Sequence, residues 1–129
     1  MHILLVEDNR DLAANVGEFL ESRGHVVDYA ADGLTGLHLA ATNRYDALVL
    51  DLGLPGIDGL QTYIEIVRRH AGIIDCVMIT GDSSAQLAQD AHDLGIHHVI
   101  CKPFRFSDLQ RLLETPAETT ADAAVEATA

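Results

Sequence analysis

Basic residues are scarce in this chain: 8 lysines and arginines stand against 20 acidic residues, giving a formal net charge of −12. Such a chain repels nucleic-acid phosphate and has no basic stripe along which a duplex could lie. Direct nucleic-acid binding is therefore not expected. Long apolar runs are missing too, since none approaches the roughly 20 residues that cross a bilayer. No membrane partner is expected, and the opening MHILLVEDN turns acidic too early for a signal peptide. The expected compartment is the cytoplasm. Cysteine is limited to Cys76 and Cys101, without a Cys-x-x-Cys spacing, which removes the common redox and zinc patterns. Of the seven histidines only His97 and His98 are adjacent, and a strand sends neighbours to opposite faces, which makes a poor chelate.

What the chain does have is alternation. Its 129 residues, 48% of them apolar, suffice for one core. Short apolar runs at about residues 2–6, 26–29, 47–51, 76–80 and 98–101 read as strands. Between them lie segments of helical period. Leu12, Val16, Phe19 and Leu20 share one face of a helix stopped by Gly24, with Asp11 as a plausible cap. The groups Leu34-Leu37-Ala41, Leu60-Ile64-Val67 and Leu87-Ala91-Leu94 predict three more inward faces, the last ending at Gly95. A fifth helix begins at Ser107, with Gln110 as its capping-box partner and Leu109, Leu112 and Leu113 inward. The pattern is (βα)5. Right-handed crossovers favour a doubly wound α/β fold, a parallel five-stranded sheet in the order 2-1-3-4-5. Cys76 would begin one strand and Cys101 end its neighbour, an offset of about four residues at roughly 3.3 Å each. That is beyond disulfide reach, and both are expected to be buried thiols.

Polar residues stand at the carboxyl ends of four of these runs: Glu7 and Asp8, Asp51, Thr80, and Lys102. In an open parallel sheet those ends share one edge, where ligands bind. The expected order sets the first and third strands side by side, so Glu7 and Asp8 meet Asp51. Two like charges about 4 Å apart repel by roughly 4 kcal/mol at an effective dielectric of 20, and a bound cation resolves the conflict. Hard oxygen ligands without His or Cys favour Mg2+. An aspartate can attack phosphorus and form an acyl phosphate when it is held in line and the phosphoryl charge is neutralised. Mg2+ on one side and Lys102 on the other would do this, and positioning plus electrostatics are most of what phosphoryl transfer needs.

The pattern Ile3-Leu4-Leu5-Val6-Glu7-Asp8-Asn9, the run Leu48-Val49-Leu50-Asp51-Leu52 with Leu54-Pro55-Gly56-Ile57-Asp58-Gly59, the step Ile79-Thr80-Gly81 and the end Cys101-Lys102-Pro103-Phe104 resemble the receiver domain of two-component response regulators, a flavodoxin-like fold. The resemblance covers about residues 2–114. It implies that Asp51 accepts a phosphoryl group from a histidine kinase or a histidine phosphotransfer protein. It implies further that Glu7, Asp8, Asp51 and the backbone carbonyl of Gly53 hold Mg2+, that Thr80 and Lys102 contact phosphoryl oxygens, and that the Lys102-Pro103 bond is cis. A protein of this kind is a signalling switch rather than an enzyme. It acts by contact with an output protein that the sequence does not name, or as a homodimer through the fourth helix, fifth strand and fifth helix. Two departures stand out. Receivers usually carry an aromatic three positions before the lysine, where this chain has Val99. The winged-helix transcription-factor class commonly shows two acids and an aromatic where this chain reads His97-His98-Val99.

Residues 1–114 are expected to form the receiver and 115–129 a tail rich in Ala, Thr and acid, read as a linker or a short extra helix. The helix reading rests on Thr115-Pro116-Ala117-Glu118, a capping residue followed by Pro and an acid. Other readings are weaker. The chain could be a receiver portion of a larger regulator with a separate effector domain. A Mg2+-dependent phosphatase of the haloacid dehalogenase kind also forms an aspartyl phosphate, but it needs a second Asp two residues on, and position 53 is Gly. A flavin binder shares the fold, but Glu7-Asp8 would repel the flavin phosphate.

Overall fold

The computed structural model describes residues 1–53, 59–81, 85–96 and 98–115. The elements alternate as β1 (His2–Val6), α1 (Arg10–Ser22), β2 (Val26–Ala30), α2 (Gly33–Thr42), β3 (Ala47–Asp51), α3 (Gly59–Arg69), β4 (Asp75–Thr80), α4 (Ala85–Asp93), β5 (His98–Cys101) and α5 (Phe106–Leu113). All strand pairs are parallel and the sheet order is β2-β1-β3-β4-β5, as the alternation predicts. No helix among the described residues is long and apolar enough to cross a membrane.

The central strands are apolar on both faces because helices cover both. Leu4, Val6, Leu48, Leu50 and Met78 pack with Ala40, Tyr63, Ile66 and Ala91 from α2, α3 and α4. Ile3, Leu5, Val49, Val77 and Ile79 pack on the other side with Ala13, Val16, Leu20, Leu109 and Leu113 from α1 and α5. Strands buried on both faces read as unbroken apolar runs rather than alternating ones, which is why they stand out in the sequence.

The helix faces match expectation in part: Leu37, Leu60, Ile64 and Ala91 pack in or against the core. Leu34 is 69% exposed and Val67 and Leu94 are also exposed. The buried stripes are Gly33, Gly36 and Ala40 in α2, Gly59, Thr62, Tyr63 and Ile66 in α3, and Ala91 in α4. The reason in α2 is close approach: a Cβ on Gly36 would stand 3.0 Å from a methyl of Val6, so small residues are fully buried there while Leu37 and Leu39 pack against the core partly buried.

Caps differ as well. Asn9, not Asp11, caps α1, its side chain accepting from the Leu12 N–H at 3.0 Å. Helix α5 starts at Phe106 behind Arg105 without a side-chain cap bond, so the Ser107–Gln110 box does not form. Gln110 is engaged elsewhere, with His25 at 3.1 Å and with Glu114. Neither cysteine is in a disulfide; Cys76 is buried, but Cys101 is exposed. Cys101 pairs with Thr80 in register, four residues along β4 from Cys76, and it ends an edge strand. His97, Asp82, the turn at 54–58 and the tail from 116 onward lie outside the described residues.

Candidate functional site

Because all strands run the same way, the residues that follow or end them share one edge. Glu7 and Asp8 follow β1, Asp51 ends β3, Thr80 ends β4, and Lys102 follows β5. Glu7, Asp8 and Asp51 each offer a carboxylate oxygen within 4.8 Å of the others. Glu7 and Asp51 are buried, at 1% and 3% exposure, whereas Asp8 faces solvent. The Lys102 ammonium lies 3.0 Å from Asp51 Oδ2 and 3.2 Å from Glu7 Oε1. The Lys102–Pro103 peptide is cis, and the Lys102 N–H donates to the Thr80 carbonyl at 2.7 Å.

The second oxygens of the buried acids go to backbone donors. Asp51 Oδ1 accepts from the Gly53 N–H at 2.8 Å, and Glu7 Oε2 from the Asn9 N–H at 3.1 Å. Glu7 Oε1 is buried without a hydrogen-bond donor in good geometry, although the Lys102 charge is close. Thr80 is buried one residue beyond Ile79, the β4 partner of Asp51. Val99 is half-buried in β5 and packs against the core on the α2–α4 side.

Burial pushes the Glu7 carboxyl up to about 7; its hydrogen bond to Asp51 and the Asp51 charge push the same way, against the Asn9 N–H and Lys102. Burial works against the Lys102 charge, but Asp51 and Glu7 outweigh it and hold the ammonium above its ordinary range. In the folded chain the cluster thus keeps a proton to higher pH than the unfolded chain does. Between an ordinary carboxylate value of 4.5 and about 7, the folded state binds more protons, so stability falls as pH rises, by at most about 1.4 kcal/mol per pH unit. A cation in the cluster would replace that proton. Thermal melts in EDTA are therefore expected to give a higher Tm at pH 5.5 than at pH 8, and the rise in Tm on adding Mg2+ should be larger at pH 8. Equal Mg2+ shifts at both pH values would contradict this reading of Glu7.

The donor set fits a hard divalent cation: oxygen ligands only, one of them open to water, and a buried Glu7 oxygen that no hydrogen bond satisfies among the described residues. The sequence missed two residues that shape this corner. Asn9 was legible as a short polar residue three positions before Leu12. Tyr29 was not, because its contact depends on the pairing of β1 with β2: its hydroxyl donates to the Glu7 carbonyl at 2.7 Å.

A family model described as the response regulator receiver domain matches residues 3–114. The chain belongs to that family. Among curated relatives, the transcriptional regulatory protein HprR of Escherichia coli (strain K12) is 37% identical over 109 residues, 84% of this chain and 48% of the relative. The probable transcriptional regulatory protein SilR of Salmonella typhimurium is 33% identical over 115 residues, 89% of this chain and 50% of the relative. This receiver chain therefore spans about half the length of the curated relatives it matches. Among solved structures, the receiver domain of the sensor histidine kinase PA1611 from Pseudomonas aeruginosa PAO1 aligns with a TM-score of 0.76 and 30% identity, covering 88% of this chain and 93% of that one. It is described with a magnesium ion coordinated in the active site cleft. A response regulator from Burkholderia pseudomallei aligns with a TM-score of 0.83 and 26% identity, covering 97% of this chain and 74% of that one. It is described with a phosphorylated aspartic acid, a calcium ion and citrate.

Proposed function

We propose that this receiver accepts a phosphoryl group on Asp51 from a histidine kinase or a histidine phosphotransfer protein in the cytoplasm. The phosphorylated chain then signals by protein contact. The observation that carries the reading is a buried Asp51 carboxylate set between the Lys102 ammonium at 3.0 Å and the carboxylates of Glu7 and Asp8. A carboxylate oxygen of Asp51 attacks phosphorus, the P–N bond to the donor imidazole breaks, and the leaving nitrogen keeps the electron pair. Lys102 turns its charge from Asp51 to a phosphoryl oxygen, and the Thr80 hydroxyl donates to another. Glu7, Asp8, Asp51 and the Gly53 carbonyl would hold Mg2+, which when bound supplies positive charge to the phosphoryl oxygens. Water later attacks the acyl phosphate and returns carboxylate and inorganic phosphate, so the chemistry serves a switch and turns over no external substrate as an enzyme would.

Two structural neighbours, one with a phosphorylated aspartic acid and one with magnesium, support this reading. In this reading residues 1–114 are the receiver. Output runs through α4, β5 and α5, to a partner protein or a second copy. Val99 has no ring to swing, so the response travels through Thr80, the loop after β4, and α4, in which Ala91 is the buried residue. A second reading, a receiver portion of a longer regulator, is favoured by the half-length match to transcriptional regulators.

Incubation with a small phosphodonor such as phosphoramidate, followed by intact-mass measurement, tests the assignment. One phosphoryl group is expected with Mg2+ and none in EDTA. Equal labelling in both would remove the metal from the reading, and no labelling in either would remove the function.

A further inference from the structure

We infer that the Tyr29 hydroxyl is a positioning group for the acidic corner, fixing the peptide between Glu7 and Asp8 so that Asp8 is aimed at Asp51. The inference rests on the metal-assisted reading above and deepens it. Parallel pairing sets Tyr29 beside Leu5, one strand over and two residues before Glu7. From there its hydroxyl reaches the Glu7 carbonyl at 2.7 Å, while the Glu7 N–H donates to the Ala30 carbonyl at 3.1 Å. Consecutive residues at the end of β2 thus hold both main-chain groups of Glu7.

The Glu7 carbonyl belongs to the same planar unit as the Asp8 N–H. Holding that oxygen stops the plane from turning about its axis, and the plane sets the direction in which Asp8 leaves the strand. The two acids have different supports. The Glu7 side chain is buried, accepts from the Asn9 N–H and lies beside Lys102. Asp8 is exposed, so burial does not hold its carboxylate, and the peptide before it carries more of the task. The Tyr29 side chain lines a groove between β2 and α1 together with Arg10, Ala13 and Gly17. The hydrogen bond that Tyr29 makes in this corner is to the backbone, at the Glu7 carbonyl, and it acts through that peptide. A pre-organised ligand set gains affinity because less order must be imposed on binding.

The test measures Mg2+ affinity by isothermal titration calorimetry at pH 8, and the metal-free Tm in EDTA, for the wild-type chain, Tyr29→Phe and Val27→Ala. Val27 packs in the same β2–α1 region and pairs with Ile3, four residues before Glu7, so its truncation should loosen the strand and leave the hydroxyl in place. Tyr29→Phe is expected to bind Mg2+ about three- to tenfold more weakly, the weight of one hydrogen bond. Its Tm in EDTA should stay close to wild type, because water can reach the Glu7 carbonyl beside a ring that is 39% exposed. Val27→Ala should lower the Tm and keep the wild-type affinity. Wild-type affinity in Tyr29→Phe overturns the inference alone, as does an equal loss of affinity in Val27→Ala, which would mark general loosening. No Mg2+ binding by the wild-type chain overturns the metal reading and this inference with it.

Discussion

Replacing Asp51 with asparagine is expected to abolish labelling by a phosphodonor while leaving a folded chain. An amide oxygen is a far weaker nucleophile than a carboxylate, and among the described residues no other carboxylate has the same surroundings. Glu7 is buried with one carboxylate oxygen held by the Asn9 N–H, and Asp8 is exposed. The fold should survive for local reasons. Asparagine keeps the shape of the side chain and can still accept from the Gly53 N–H, while Lys102 keeps Glu7 at 3.2 Å. Removing the Asp51 charge also removes one of the causes that raise the Glu7 pKa, so the dependence of Tm on pH in EDTA should flatten. Intact mass and thermal melts read both effects. Undiminished labelling of Asp51→Asn would move the phosphoacceptor elsewhere, and a collapse in Tm would make Asp51 a structural residue first.

The largest loss of stability from a small substitution is expected at Gly59. A Cβ there would sit 2.5 Å from Leu52 Cδ2, 2.7 Å from Leu52 Cα and 3.1 Å from Leu52 O. A side-chain tip could turn away, but a Cα cannot, so either the start of α3 or the backbone at Leu52 must move. Overpacking of this kind costs about 1–3 kcal/mol, which in a domain of this size lowers Tm by roughly 5–15 °C. The strain falls on the site, since Leu52 lies between Asp51 and Gly53 and its N–H donates to the Ile79 carbonyl at 2.8 Å. Gly59→Ala should therefore weaken Mg2+ binding as well as the fold. Gly81→Ala is the matched control: its Cβ would meet nothing within 4 Å among the described residues, and its stability should stay within about 0.5 kcal/mol of wild type, as for ordinary surface changes. Similar melts for the two variants would show that α3 can shift without cost.

The strand order and the gathered site residues were legible because both depend on simple rules. Runs such as Ile3–Val6 and Ala47–Leu50 are covered on both faces, so their apolar character is unbroken, and parallel alternation fixes which ends meet. Glu7, Asp8, Asp51, Thr80 and Lys102 then follow from position alone. The helix faces were less legible. Periodicity ranks Leu34 and Val67 as inward, yet how near α2 comes to β1 is set by Val6 beneath Gly36, a contact between segments thirty residues apart in sequence. Tyr29 was hidden for the same reason, since nothing adjacent to it suggests that its hydroxyl ends on Glu7. Gln110 follows Ser107 at capping-box spacing, but His25 and Glu114 take its amide instead.

The unequal exposure of the two cysteines turns the chain into its own instrument. Burial, with the Asp75 charge beside it, pushes the Cys76 thiol far above its ordinary range, and a buried neutral thiol is a poor target for alkylating reagents. Cys101 is exposed at the end of β5, one residue before Lys102. A thiol-reactive fluorophore would therefore attach at a single position on the rim of the acidic edge, with no cysteine added or removed. Its emission would follow cation binding and phosphoryl transfer in real time, in a chain that contains no tryptophan to do so.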